Sequence, residues 1–535
     1  MFHISRLTKT TLALVLGLAA SSTLAAITPQ QAEQLKTTLT PMGAERAGNA
    51  AGTIPAWTGG ITQAPAGYKP GQHHPDPYAA DKPLFTITKA NLEQYKAHLS
   101  PGQIALFNSY PDTFQMPVYP SRRSGSAPQW LYDNTLKNAT SAKLLEGGSG
   151  FADAYGGVPF PVPKDGIEVL WNHITRYRGI YVVRRASEAP VQRNGSFALV
   201  TSQQEALFNF YRPGGQYADL KNILFYYLAF VKSPARLAGG AALVHEMLDQ
   251  LKDPRQAWVY DAGQRRVRRA PNLAYDTPIR FEEEVAVPQA IPDIDAAKAA
   301  NVLSFFKQSV TAPARLAGNV LLVHETLDQV KEPRLAWIYN AGQRRVRRAP
   351  QVSYDGPGTA SDGLRTTDNF DMFSGAPDRY DWKLVGKKEM YIPYNSYKLD
   401  SPSLKYDDII KAGHINQDLT RYELHRVWEV VGTVKPSERH IYAKRHMYID
   451  EDSWQVALVD HYDGRGQLWR VAEGHAQFYY DHQVPAYTVE TLYDIIAGRY
   501  IALGMKNEEK SSFVFGFAAK AADYTPAALR SAGVR

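Results

Sequence analysis

The sequence predicts an α+β fold dominated by antiparallel strands, and three observations predict it. Four extended segments, 421–434, 440–450, 453–463 and 467–480, are joined only by Lys435-Pro436-Ser437-Glu438, Glu451-Asp452 and Gly464-Arg465-Gly466. Parallel neighbours need crossovers of about a dozen residues, so turns this short imply an antiparallel meander. Asn194-Gly195 lies between two further extended stretches that begin near Ile180, which is the strongest short hairpin signal. Helix-start signals, by contrast, are confined to the first third of the chain.

Those signals are specific. Thr28-Pro29-Gln30-Gln31 is a capping-box pattern with proline at the first helical position. Thr88 predicts a helix through Leu99, Ser100-Pro101 one reaching Ser109, and Asp165 one reaching Tyr177. Between them, 42–83 and 147–163 are rich in Gly and Pro and read as coil over the surface. The first 25 residues are a leader. Arg6 and Lys9 precede the apolar run 11–20, and Thr23-Leu24-Ala25 is a small-residue cleavage pattern, with a cut after Ala25. The run is too short to span a bilayer of about 30 Å. The expected organisation is a leader (1–25), N-terminal helices and coil (26–179) and a sheet region (180–535).

The middle of the chain is duplicated. Residues 234–276 and 313–355 align without a gap at an offset of 79, with 31 of 43 positions identical, including AGQRRVRRAP in both. Two copies are too few for a solenoid. Each copy reads as an extended segment and a hairpin turning at Asp261-Ala262-Gly263 or Asn340-Ala341-Gly342, although Val320, Val323, Leu327 and Val330 also fit a helix over 320–330.

Composition removes several functions. The 535 residues contain no cysteine, which excludes thiol nucleophiles and cysteine-based zinc or iron–sulfur sites. A net charge of +7, or +5 once the leader is removed, is a weak argument for nucleic acid, a poor partner for an exported chain. His245-Glu246 and His324-Glu325 begin like a zinc-protease motif, but Asp249 and Asp328 stand where the second histidine is needed. No nucleophile elbow, phosphate loop or dinucleotide fingerprint is present. The acidic stretch 362–371 lacks EF-hand spacing and reads as a solvated loop, and Asp450-Glu451-Asp452 reads as a polar turn.

Two residue sets remain as candidate ligand contacts. Trp258, Tyr260, Trp337, Tyr339, Trp428, Tyr448 and Trp469 fall on predicted strands, where such rings form a core or line an apolar hollow. Each buried methylene of a guest would contribute about 0.8 kcal/mol there. Arg344, Arg345, Arg347 and Arg426 are candidate contacts for anionic groups, because guanidinium forks match carboxylate and phosphate oxygens. No cofactor, metal or catalytic set is expected from the leading interpretation.

Several strings resemble a family of exported Gram-negative proteins catalogued as a domain of unknown function and described as outer-membrane lipoprotein-sorting-like. They are LTPMGAERAGNAAGTIPAWTGG (39–60), GGVPFPVP with WNHITRYRG, AGQRRVRRAP, GLRTTDNFDMFSGAPDRYDWKLVGKKEMYIPYN, RYELHRVWEV and YIDEDSWQVALVDHYD. The resemblance implies a LolA/LolB-like fold, a curved antiparallel half-barrel with covering helices. It also implies work beside outer-membrane barrel proteins and RND-type exporters of hydrophobic compounds. The duplication departs from that pattern, since removing one unit leaves 456 residues. The leading expectation is therefore a periplasmic carrier or chaperone, possessing no enzyme activity, that binds a hydrophobic or amphiphilic molecule or a lipoprotein's acyl chains. The alternatives are an envelope hydrolase using Glu423, His425 and Asp450, and a structural subunit whose duplicated hairpins offer an edge to a partner.

Overall fold

A computed structural model of the chain describes residues 27–233, 239–249, 252–253, 255–261, 266–270, 302–309, 320–326, 335–340, 345–349, 361–375, 377–516 and 521–524. The leader and its cleavage site lie outside them. The N-terminal third is built as its caps imply. Helix α1 (Pro29–Ala32) starts at a Thr28 capping box. Coil and turns then run from Lys36 to β1 (Phe85–Ile87). The helix expected from Thr88 is shorter, α2 (Leu92–Tyr95), because the Asn91 side chain accepts the Thr88 N–H and delays the start. Helix α3 (Pro101–Ser109) has the expected Ser100 capping box, and β2 (Met116–Tyr119) follows. Next come α4 (Gln129–Ser141), the short strands β3 (Lys143–Leu144) and β4 (Phe151–Ala152), and α5 (Gly166–Ile174). Asp165 caps α5 as expected, but the helix stops at Ile174, three residues short of Tyr177.

The strands that follow are β5 (Tyr181–Val191), β6 (Val200–Leu207), β7 (Ile223–Ser233), β8 (Ala241–Met247), β9 (Gln256–Asp261) and β10 (Arg266–Ala270). The second copy supplies β11 (Val302–Ser309), β12 (Val320–Thr326), β13 (Leu335–Asn340) and β14 (Arg345–Ala349). The C-terminal part contributes β15 (Tyr380–Pro393), α6 (Tyr406–Ile409), β16 (Tyr422–Val434), β17 (Lys444–Asp450), β18 (Val456–Tyr462), β19 (Leu468–Tyr479), β20 (Val484–Asp494), β21 (Arg499–Met505) and β22 (Val514–Phe515). The meander of 421–480 is thus present, with each strand trimmed where its turn begins.

These strands form one antiparallel path, β15-β16-β17-β18-β19-β20-β21-β5-β6-β7-β8-β9-β10, with β1–β2 and β22 added at its edges. Strand β16 is the junction. β15 runs along one of its edges, while β17 and the parallel β2 share the other. Among the described residues β15 and β10 do not pair, so the sheet stays open. It is also strongly curved. Cα atoms of β15 come within 8 Å of β18 and β19, three and four strands away. A flat sheet would separate them by about 14–19 Å. Met390 and Ile392 of β15 meet Val427, Tyr448, Ala457 and Leu458 inside this curl.

Both faces are covered, so neighbouring residues on one strand enter opposite cores. In β21, Ile501 and Leu503 pack towards Trp171, Phe151 and Phe160, whereas Tyr500 and Ala502 pack towards Leu106, Phe107 and Phe114 around α3. Helix α5 is fixed there. Trp171 is buried and donates from Nε1 to Gly148 O at 3.0 Å. His173, whose pKa burial lowers to about 3, is a neutral bridge: Nδ1 accepts the Val456 N–H and Nε2 lies 3.1 Å from Asp371 O. The loop read as solvated over 362–371 is instead anchored. Asp368 is held by Arg445 at 2.7 Å and Asp371 by Arg176 and Arg178, because the loop closes over the core beside Phe373.

The repeat is a four-stranded unit, longer than the duplicated string. Ile223↔Met247, Ala241↔Tyr260 and Asp261↔Arg266 recur at +79 as Val302↔Thr326, Val320↔Tyr339 and Asn340↔Arg345, with a register shift at the same place in both. The helix considered for 320–330 is strand β12 over its described part. The first copy continues the main sheet through β6·β7, and the second is a separate four-stranded sheet. Removing residues 271–349 rejoins Ala270 to Pro350 and regenerates RRAP. The shortened chain is expected to unfold cooperatively with a midpoint within a few degrees of the full chain, measured by circular dichroism. Loss of cooperative unfolding would show that the two copies are one structural unit.

Candidate functional site

The aromatic candidates do not converge. Trp258 is half-buried beside His245, with Tyr260 in the small cluster around Tyr226, Leu243 and Tyr524. Trp428 stacks on Trp454 at 6.1 Å under the Lys387 ammonium. Tyr448 fills the curl, and Trp469 donates to Asp494 and lies against Arg470. The side chains of Trp337, Tyr339, Arg345 and Arg347, and Arg344 altogether, lie outside the described residues. Arg426 is buried and committed: it donates to Glu451 at 2.7 Å and to the Glu45 and Ala47 carbonyls.

Nor do these rings line a large interior void among the described residues. The hollows against Trp171 and Phe373 and against Met42 and Tyr132 measure about 10 and 20 Å³. A hollow of about 510 Å³ lies instead at the rim, where the chain turns into β7. Tyr155, Leu220, Ile223 and Tyr226 supply its apolar wall, and Arg212, Asp219 and Lys221 its charges. None of the sequence candidates falls at this place. Its available signal was Arg212-Pro213-Gly214-Gly215, a turn that opens a gap before a strand.

The hydrolase candidates, in contrast, are brought together. RYELHRVWEV lies on β16, YIDEDSW at the end of β17 and its turn, and the pairing Val427↔Asp450 sets the two motifs side by side. Glu423 receives Arg421 Nε at 2.6 Å, Asn395 Nδ2 at 3.0 Å and the Arg122 N–H at 2.7 Å, and its Oε2 is 3.0 Å from His425 Nε2. Tyr394 stacks on His425 at 3.9 Å and donates to Asp450 Oδ2, which also accepts both donors of Ser453. Arg123 grips Asp452 through two hydrogen bonds of 2.6 and 2.9 Å. Glu451 accepts from Arg426 and Lys387.

The electrostatics follow from this geometry. Against the upward pull of burial, the His425 hydrogen bond and Arg421 hold Glu423 below the usual carboxylate value. Against burial, the Glu423 carboxylate holds His425 above the usual imidazole value. Burial, then the neighbouring Asp452, push Asp450 up to about 6. Asp450 Oδ1 has no hydrogen-bond partner. One coordinating atom from each of His425, Asp450 and Asp452 lies within 4.8 Å of the others. Glu423, His425 and Asp450 are nevertheless only 0%, 1% and 1% exposed, so in this conformation a dissolved substrate has no access to them. The turn reading of Asp450-Glu451-Asp452 holds, but its side chains face inward. Arg421 opens the RYELHRVWEV motif, whereas Arg123, which completes the group, carried no motif.

Two more buried carboxylates, Asp460 and Glu473, lie under α3, and a third, Glu490, lies on the opposite face of the sheet, where it accepts the Met372 N–H. Asp460 accepts from Ser100 Oγ and the Gly102 N–H, and burial raises it to about 7. Glu473, bonded by Tyr422, is raised by burial to about 8, and Glu490 by burial to about 7.

The duplicated HE pairs are structural where described. His245 Nε2 meets Tyr524 O at 2.6 Å on one face of β8, while Glu246 pairs with Arg255 at 2.7 Å on the other.

A family model described as "Protein of unknown function (DUF1329)" matches residues 86–291 and 279–530, the two stretches meeting in the segment that joins the duplicated units. A Pseudomonas aeruginosa chain named Uncharacterized protein PA3922 is 54% identical over 522 residues, covering 98% of this chain and 97% of that one. Among solved structures, a putative outer membrane lipoprotein-sorting protein domain from Vibrio parahaemolyticus is 12% identical with a TM-score of 0.33, over 68% of this chain and 98% of that one. A DUF1329 family protein from Desulfovibrio piger is 10% identical with a TM-score of 0.31, over 66% and 92%. The LolA superfamily protein NE2245 from Nitrosomonas europaea is 9% identical with a TM-score of 0.31, over 68% and 98%.

Two outcomes follow from the buried groups. Asp452→Ala removes both hydrogen-bonded carboxylate oxygens from the buried Arg123, leaving Glu451 at 3.7 Å, and is expected to cost about 3 kcal/mol in chemical denaturation. Asp460, Glu473, Glu490 and Asp450 bind protons more tightly folded than unfolded. Their contribution is complete below their unfolded values near pH 4 and is lost as pH rises through about 6 to 8. Calorimetry should therefore give a higher midpoint at pH 6 than at pH 8.5, with a smaller difference in Glu473→Gln. A midpoint that rises over that interval would contradict this assignment.

Proposed function

The chain belongs to the DUF1329 family, and from that premise we propose that it is an exported, non-catalytic binding protein that carries an amphiphilic small molecule or acyl chain in the periplasm. The observation that carries this reading is the rim hollow of about 510 Å³. It falls within the roughly 300–1,000 Å³ of small-molecule sites and places Arg212 and Lys221 beside an apolar wall of Tyr155, Leu220, Ile223 and Tyr226. An apolar tail would lie against the rings and aliphatic side chains, with its head beside the two cations. The small size of the hollows beside Trp171 and beside Met42 supports seating the guest at the rim, with the sheet as its rigid support. No helix among the described residues is long and apolar enough to cross a membrane. The partners that suit such a carrier are an RND-type exporter and an outer-membrane barrel protein.

A second reading, a structural subunit, is favoured by one observation: β10 ends the sheet path with no strand beyond it among the described residues. An open edge of this kind can accept a partner strand.

Solvent extraction and mass spectrometry of protein purified from its native envelope should recover a stoichiometric amphiphile. Charge reversal by Arg212→Glu with Lys221→Glu should weaken a fluorescent fatty-acid probe by about tenfold, roughly 1.4 kcal/mol. No recovered amphiphile together with no probe binding by the native chain would overturn the carrier reading. A stable complex with an envelope protein that survives the charge reversal would favour the subunit reading.

A further inference from the structure

We propose that His425, Asp450 and Asp452 form a binding site for a divalent transition cation of the zinc or manganese kind. The three side chains offer ligand atoms within 4.8 Å of one another, at the end of the sheet's curl, and all three are buried. The arrangement goes beyond an acidic cluster, because His425 and Asp450 are each oriented by partners on one ligand atom only, and Asp450 Oδ1 is buried with no hydrogen-bond partner.

Glu423 occupies His425 Nε2 at 3.0 Å, so Nδ1 is the nitrogen left for a cation. A carboxylate holding the far nitrogen of a ligand histidine is the usual outer layer of a metal site. Here that carboxylate is itself fixed by Arg421, Asn395 and the Arg122 N–H. Ser453 and Tyr394 occupy Asp450 Oδ2, and Oδ1 is buried with no hydrogen-bond partner. Arg123 donates once to each Asp452 oxygen, and a carboxylate oxygen accepts at more than one lone-pair position, so coordination capacity remains.

One imidazole with two carboxylates suits zinc or manganese, whereas calcium takes six to eight oxygens and magnesium keeps most of its waters. Asp452 and Ser453 also border a void of about 20 Å³, room for one water beside Asp452.

The test uses the full mature chain, stripped with chelator and titrated calorimetrically with Zn²⁺, Mn²⁺, Ca²⁺ and Mg²⁺, with metal content read by mass spectrometry. The expected result is about one zinc or manganese per chain and a higher unfolding midpoint when it binds. Asp450→Asn and His425→Gln should abolish binding, and Glu423→Gln should weaken it about 10–100-fold. His446→Gln, which alters a separate His446–Glu429 pair, should leave it unchanged. Since a ligand variant can fail to fold, the paramagnetically shifted imidazole proton signals of Co²⁺ bound to the unaltered chain give an independent readout of an imidazole ligand. The proposal is overturned if the native chain retains no transition cation, if folded Asp450→Asn and His425→Gln still bind normally, if calcium or magnesium binds in preference, or if bound Co²⁺ shows no imidazole ligation.

Discussion

A curved sheet covered on both faces leaves its central polar groups no water to turn to. In strands β16 to β21 most residues are buried, and adjacent side chains enter different cores. A charge in such a place persists only if another group answers it, since an unpaired buried charge costs several kcal/mol. The polar interior is accordingly organised into local sets: Asp368 with Arg445 and His440, Asp400 with Lys506, Asp371 with Arg176 and Arg178, Glu423 with Arg421 and His425. Within that order a bare acceptor such as Asp450 Oδ1 stands out.

The same constraint shapes the functional reading. Bulky rings do not by themselves make a hollow; what surrounds them decides. Trp171, Phe151, Phe160 and Phe210 enter the sheet from α5 and the neighbouring loops, and the hydrogen bonds of Trp171 and His173 fix that layer in place. Opening it for a guest would break those bonds and expose large apolar surface. The proposed place for a guest is therefore where the two-sided cover ends, beside the turn into β7. The duplication begins there too: β7 is the first strand of the repeated unit, and β11 is its counterpart at +79.

The legible part of the fold was the part written in local chemistry. Ser100-Pro101 and Asp165 cap the helices they predict, and Asn194-Gly195 turns the hairpin, with Gly195 at φ 86°. Thr88 failed because a competing side chain, Asn91, lay three residues on. The 362–371 loop departs from the solvated reading because acidity alone does not reveal that Arg445 on β17 and Arg176 just after α5 wait for its carboxylates. The site was half legible. Its histidine and carboxylates stood out in two motifs, but nothing local indicated that a strand pairing would join them or that Arg123 would arrive from the coil.

That arrival has a structural consequence. The turn after β17 joins the sheet to the N-terminal coil. Arg123 bonds Asp452 and also the carbonyls of Glu45, Arg46 and Pro55; Arg426 bonds Glu451 and the carbonyls of Glu45 and Ala47; Trp454 donates to Met42 O. Coil around residues 42–55 is thus stitched to the sheet through backbone acceptors, which explains how a Gly- and Pro-rich stretch can be ordered without helix or strand. The carboxylates of the turn hold the arginines, and the arginines hold the coil. Any ligand that draws on Asp452 therefore acts on the same junction that ties the N-terminal coil to the sheet.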